Sequence, residues 1–248
     1  NYYILIVIFV EMKSEETFFR TTEYCKNCFD CDKRSELFYL LDDKEIEILH
    51  EKRYEVIFNE GETIHKQGSS ASHVLTVTSG YAKLYLEGKH RNIIMEILGP
   101  TDLFIAPGLF VDNRHHYTLK AITDVTACFL DFGYFRRMIN KNSTFAQRYI
   151  EIMNRKTIES YSKILELTQK QMPGRVAGTL LYLSDSVYKS RDIKLDLSRQ
   201  DIADLSGLTK ESSIRIMKDF KEAGYISLEG QHLVINDRDS LRTISSNG

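Results

Sequence analysis

The hydrophobic period changes twice along the chain. From Leu37 to Lys52, apolar residues at 37, 38, 41, 46 and 49 have the spacing of a helix with one buried face. From Arg53 to Phe132 the rhythm becomes short alternating runs: YEVIF (54–58), HVLTVTSG (73–80), YAKLYLEG (81–88), NIIMEILG (92–99), YTLKAIT (117–123) and TACFLDF (126–132). β-Branched residues on a period of two, broken at regular intervals by Gly, Asn and Asp, predict an antiparallel sandwich or barrel. Near residue 133 the helical period returns. Tyr134 to Asn140 reads as a short helix and Thr144 to Lys170 as a long one. Phe145, Tyr149, Ile152, Ile158 (or Met153), Tyr161 and Leu165 read as one stripe along it. Such a helix is about 40 Å long, more than one small domain needs, which predicts a second copy packed along it; the alternative is a helix that only covers the β-domain.

Met172-Pro173-Gly174 breaks the long helix, and another starts at Arg175 and runs to Lys189. Helices at 198–206 and 209–223 and strands at 225–228 and 232–235 follow. The expected organisation is α+β: an N-terminal extension (1–36), a β-domain (37–142), a connecting dimerisation helix (143–171) and a small α+β domain (172–248). Tyr2 to Val10 is an unbroken apolar run, shorter than the roughly 20 residues that span a bilayer and without the basic region and cleavage site of a signal peptide. The chain opens on Asn, and Met12-Lys13-Ser14-Glu15 looks like an ordinary start, so the first eleven residues are read as lying outside the native body. The alternative is a short element packed on the domain.

Residues 198–223, SRQDIADLSGLTKESSIRIMKDFKEA, have the grammar of a helix-turn-helix. Ser198 caps the first helix with Asp201 three places on, Gly207 makes the turn, Leu208 plugs it and Thr209 caps the second helix. Ile216, Met217 and Phe220 form that helix's buried face. Lys210, Glu211, Ile214, Arg215 and Lys218 lie opposite, with Arg199 at the start of the first helix. Such a face suits the major groove: Arg or Lys donates to guanine, a carboxylate accepts from cytosine, and an aliphatic meets a thymine methyl. A hairpin around Gly230, with Ser227 and His232, forms a wing near the phosphates. A plain helical hairpin with a solvated charged face is the alternative.

Composition narrows the class. The net charge of -2 excludes a protein that coats nucleic acid by bulk charge. Residues 173–248 carry 11 Lys+Arg against 11 Asp+Glu, so DNA affinity would come from local contacts and from dimer avidity. Only 4 cysteines occur, three of them crowded at 25, 28 and 31, which is no disulfide scaffold. A globular, cytoplasmic chain without a membrane segment is expected.

From Leu37 onward the chain resembles the Crp/Fnr transcription regulators. Phe58-x-x-Gly61-Glu62-x-Ile64-x-x-x-Gly68 and Val77-x-x-Gly80 resemble the family's early β-roll signature, and Leu98-Gly99-Pro100-x-Asp102-Leu103 its next corner. Arg175-Val176-Ala177-x-x-Leu180-Leu181-x-Leu183 resembles the helix that opens its DNA-binding domain. The resemblance implies a β-roll sensor, a long dimerisation helix and a winged helix-turn-helix. It also implies a homodimer that reads palindromic promoter DNA and works with RNA polymerase, and no enzyme activity. The base-reading positions fall on Lys210, Glu211 and Arg215. Ser213-Ile214 reverses the family's usual apolar-then-polar order, which puts Ser213 inside and Ile214 toward a base.

Two sensing sites follow from the resemblance. Cyclic-nucleotide binders of the family use Phe-Gly-Glu followed by Arg-Ser, where the glutamate takes the ribose hydroxyl and the arginine the phosphate. This chain reads Phe104-Ile105-Ala106-Pro107-Gly108, with His115-His116 at the Arg-Ser positions and Arg114 one residue away. An anionic phosphate would be buried without its counter-charge, so cyclic AMP is not the expected effector. Cys25, Cys28, Cys31 and Cys128 instead resemble the ligands of a [4Fe-4S] cluster in the oxygen-sensing fumarate-and-nitrate branch, although the spacing differs. Zinc, a dithiol switch, or a purely structural Cys128 remain alternatives. Adjacent His115 and His116 point to opposite sides of a strand and would not chelate one metal. A cupin-type metalloenzyme is the alternative from another class, but its His-x-His with a following Glu is absent here. A ligand-binding module without DNA function is a third reading.

Overall fold

A computed structural model describes residues 27–247 of the chain. A 3₁₀ turn (Glu36–Leu40) leads into α1 (Asp43–Lys52), which starts sharply because Asp42 and Glu45 close a capping box. Eight strands follow: β1 (Arg53–Phe58), β2 (Thr63–His65), β3 (His73–Ser79), β4 (Ala82–Leu86), β5 (Ile93–Leu98), β6 (Leu103–Phe104), β7 (Thr118–Ala121) and β8 (Val125–Asp131). They form two antiparallel sheets, in the orders β1-β8-β3-β6 and β2-β7-β4-β5. Gly80 turns β3 into β4 at φ +77°, where a Cβ would stand 2.0 Å from the Asp124 carbonyl oxygen, so the signature glycine there is a steric requirement.

Helix α2 (Phe132–Lys141) and the start of α3 (Ser143–Gln169) close this domain. Phe135 and Phe145, both fully buried, meet edge-to-face at 5.5 Å and join Leu37, Phe38, Leu75 and Leu130 in one core. The stripe expected along α3 divides into two faces. Phe145, Tyr149, Ile152 and Met153 pack on the β-domain, whereas Ile150, Ile158, Tyr161, Ile164 and Leu165 are more than half exposed. Spacing shows which positions are apolar but not which neighbour each one meets.

The C-terminal unit comprises α4 (Met172–Tyr182), a π turn (Leu183–Val187), β9 (Asp192–Lys194), α5 (Arg199–Ser206), α6 (Lys210–Glu222), the hairpin β10 (Ile226–Glu229) and β11 (His232–Ile235), and α7 (Arg238–Asn247). The helix read as Arg175 to Lys189 is thus α4 plus the π turn, with Pro173 seated in its first turn. Strand β9 adds to the wing sheet, order β10-β11-β9, and α7 packs on α4. This unit's core is continuous with Ile94, Ile97 and Ile122 of the β-domain.

Candidate nucleic-acid interface and sensing sites

The turn between α5 and α6 is fixed twice. Gly207 caps α5 at φ +63°, and a Cβ there would lie 2.5 Å from Leu167 Cδ2 of α3. Thr209 then caps α6, its side chain accepting from the Ser212 backbone N–H at 3.2 Å. Ser213, Ile216, Met217 and Phe220 are buried, while Thr209, Lys210, Glu211, Ile214, Arg215 and Lys218 are exposed on one face. Ser213 therefore lies inside and Ile214 outside, as the reversed pair predicts. Arg199 stands apart from that face. It is half-buried and donates to the Gly230 carbonyl, tying the start of α5 to the wing turn. Lys221 holds the same hairpin through the Leu228 carbonyl at 2.9 Å.

The residues read as an effector pocket do not converge. Phe104, Ala106 and His115 are buried, but Pro107, Arg114 and His116 are exposed. Arg114 donates outward to the Gly68 carbonyl at 3.4 Å, and His116 pairs with Asp112 at 3.1 Å. The alternation of side chains along an extended segment separates these neighbours. His115 fills the roll interior itself, stacked on His65 with ring centroids 4.0 Å apart and 18° between planes. Parallel rings cannot both aim a lone pair at one metal ion, which lies in the plane of each ring that binds it. Tyr117 closes the group edge-on, and its hydroxyl, His65 Nε2 and His115 Nδ1 have no hydrogen-bond partner.

Burial, then the charges of His115 and His73, hold His65 at about 3, and burial with His116 lowers His115. The unfolded chain takes up these protons first, so stability is whole above about pH 6.5 and falls as the pH drops toward 3. Between pH 7 and pH 5 the loss attributable to His65 is about 2 kcal/mol. Urea titrations at the two pH values should show that loss in the wild type and a flatter dependence in His65→Gln. An unchanged slope in the variant would remove His65 from the account.

The cysteines do converge. Cys28, Cys31 and Cys128 line one cavity with about 460 Å³ of empty space, part of it open to solvent. Cys128 on β8 stands between Glu55 of β1 and Thr76 of β3 in register. Sequence reasoning missed Arg53, whose Nε donates to Cys28 Sγ at 3.0 Å and whose Nη1 donates to Cys128 Sγ at 3.7 Å. Its signal was a charged pair, Arg53 and Glu55, two apart on one strand face; the two side chains are only 10% and 12% exposed and lie 3.3 Å apart. Burial pushes the Cys128 thiol up to about 12 and raises Cys28, with Arg53 opposing both. Burial also works against the Arg53 charge, but Cys128, Cys28 and Glu55 outweigh it. The donor chemistry, soft thiols in one cavity, fits a thiolate-ligated centre. Among the described residues, however, no three His, Cys, Asp or Glu stand close enough together to hold an ion, and Cys25 lies outside them, as do residues 1–11.

A β-roll joined through a long helix to a winged helix-turn-helix defines a DNA-binding transcription regulator rather than an enzyme. Residues 55–142 match the model of the cyclic nucleotide-binding domain, and residues 174–244 that of the Crp-like helix-turn-helix domain. The chain belongs to the Crp/Fnr family of transcription regulators. A CRP-like cAMP-activated global transcriptional regulator of Mycobacterium tuberculosis is 25% identical to it over 213 residues, 84% of this chain and 95% of that protein. The transcriptional activator protein FnrL of Cereibacter sphaeroides is 27% identical over 222 residues, 85% and 88% of the two chains. The structure of FixK2 from Bradyrhizobium japonicum shares the fold, with TM-score 0.71 at 23% identity over 77% of this chain and 96% of that one. No helix among the described residues is long and apolar enough to cross a membrane.

Proposed function

We propose that this regulator acts in the cytoplasm as a homodimer on palindromic promoter sites, in concert with RNA polymerase, and that its signal enters at the cysteine cavity as a redox or oxygen cue. The free apolar face of α3 supports the dimer. Thr209, Lys210, Glu211, Ile214, Arg215 and Lys218 read or contact the DNA, and Arg199 holds the wing in place. The observation that carries the signal is the meeting of Cys28 and Cys128, 100 positions apart in sequence, at one buried arginine, with Cys31 lining the same cavity.

Cys25, Cys28, Cys31 and Cys128 are the residues that would hold a [4Fe-4S] cluster, which would supply sensitivity to oxygen. Arg53 would then place a fixed positive charge and N–H donors beside the sulfurs. Cyclic AMP is not the effector in this reading, because His115 occupies the roll interior and Arg114 turns outward. Iron, zinc and acid-labile sulfide should be measured on protein purified without oxygen, with visible spectra before and after air. About four irons and four sulfides per chain, with absorption that bleaches in air, is the expected result. One zinc per chain would make the cavity a structural site or thiol switch. Metal-free protein whose thiols stay intact in air would overturn the reading.

A further inference from the structure

Helix α5 is held at both ends by the sensor sheet. At its start, one carboxylate of Asp201 serves two partners. Oδ2 accepts from the Ser198 N–H at 3.0 Å and its hydroxyl at 2.6 Å, closing the capping box. Oδ1 takes the Lys83 ammonium, which reaches across from β4, and the two side chains expose only 8% and 20%. The N-terminal cap of the reading motif and its bond to the sensor are thus a single group.

At the other end, Arg91, in the connection between β4 and β5, donates to the Gly207 carbonyl at 2.6 Å. That carbonyl belongs to the turn between α5 and α6, at the negative end of the α5 dipole, where a cation is favoured. Lys163 of α3 adds a third bond, to the Leu205 carbonyl at 2.6 Å. Between the two ends, Ile94 and Ile97 of β5 share a core with Ile202 and Leu205. Charges match along the contact: Asp201 and the buried Asp204 face Lys83 and Arg91.

We propose that Lys83 and Arg91 are positioning residues for DNA reading: they clamp α5 and the turn before α6 to the β4–β5 edge of the sensor, so that the sensor sheet sets where the reading face points. Neither residue reads a base. The clamp leaves the exposed face of α6 free, so its role is aim rather than occlusion. Any change in the sensor that moves β4 and β5 is transmitted to α6 through two polar bonds and one apolar seam. In a dimer, that aim becomes the separation and phase of two reading faces, which a DNA site tests base pair by base pair, each step turning the groove by about 34°.

Arg91→Met is the first variant, because it removes one partner of a main-chain carbonyl and leaves the Asp201 cap intact. Hydrogen exchange on the DNA-free protein should show amides 199–209 exchanging about tenfold faster, with β1 and β8 unchanged. An operator selected from random DNA by the wild-type protein is then compared with versions whose half-sites are one base pair closer or farther apart. The wild type should prefer the selected spacing, and Arg91→Met should lose about tenfold of that preference, within the usual range of coupling between sites. Lys83→Met should behave alike, and Lys83→Arg should restore the preference. Unchanged exchange at 199–209 would show that there is no clamp. Faster exchange with full spacing preference retained would show a contact that does not position the helix. Either result overturns the proposal.

Discussion

An Ile164→Glu chain is expected to sediment as a monomer and to bind a two-half-site operator roughly 10²–10⁴-fold more weakly, the factor that linking two binding modules contributes. Ile164 is 54% exposed, and with Ile150, Ile158, Tyr161 and Leu165 it forms a single stripe on the side of α3 turned away from the β-domain. Asn154, Thr157 and Thr168 fill the gaps in that stripe, each bonding its own helix at 2.7–2.9 Å. A soluble monomer would leave these large apolar side chains in water along about 22 Å of helix. In the proposed dimer a second α3 packed in parallel would cover them, and symmetry would bring each Ile164 close to its copy. Glutamate at that position buries two like charges beside each other. The monomer fold should survive, because the β-domain core is made by the opposite face of α3 through Phe145 and Tyr149. Sedimentation velocity and fluorescence anisotropy read the two halves of this prediction. A stable dimer in the variant would place the interface elsewhere.

The parts legible in the sequence are those whose causes lie within one helical turn. Ser198, Asp201, Gly207 and Thr209 announce caps and a turn by residue type alone, and the structure sets each in that role. The reversal of Ser213 and Ile214 was legible for the same reason, since neighbours on a helix face different ways. Helix α7 escaped because RDSLRTISSN presents mostly polar residues, and the burial of Leu241 depends on α4, more than fifty positions away. Strand β9 is three residues long, too short to show a period.

Long-range partners were out of reach of any local pattern. Nothing near Lys83 points to Asp201, and nothing near Cys28 points to Arg53 or Cys128 except the resemblance to a family. The effector residues show the converse: the resemblance placed Arg114, His115 and His116 at one pocket, while in the turn segment that precedes β7 only His115 is buried.

Arg215→Ala should abolish specific recognition while leaving the fold intact. The side chain is exposed on the middle of α6, one residue before the buried Ile216 and Met217 that anchor the helix, so its removal opens no cavity. An arginine that bonds a guanine edge contributes about 1–3 kcal/mol of discrimination. A symmetric dimer places one copy on each half-site, so both contacts are lost together, roughly 2–6 kcal/mol in all, or about 30-fold to 10⁴-fold. Non-specific binding should change far less, because it depends on phosphate contacts and the reading domain is neutral overall. The informative quantity is therefore the ratio of operator to random-DNA affinity at fixed salt, with thermal unfolding as the control for the fold. The ratio should collapse while the midpoint moves by no more than a few degrees. A variant that keeps both its ratio and its midpoint would take Arg215 off the reading face and leave Lys210, Glu211 and Ile214 to specify the site.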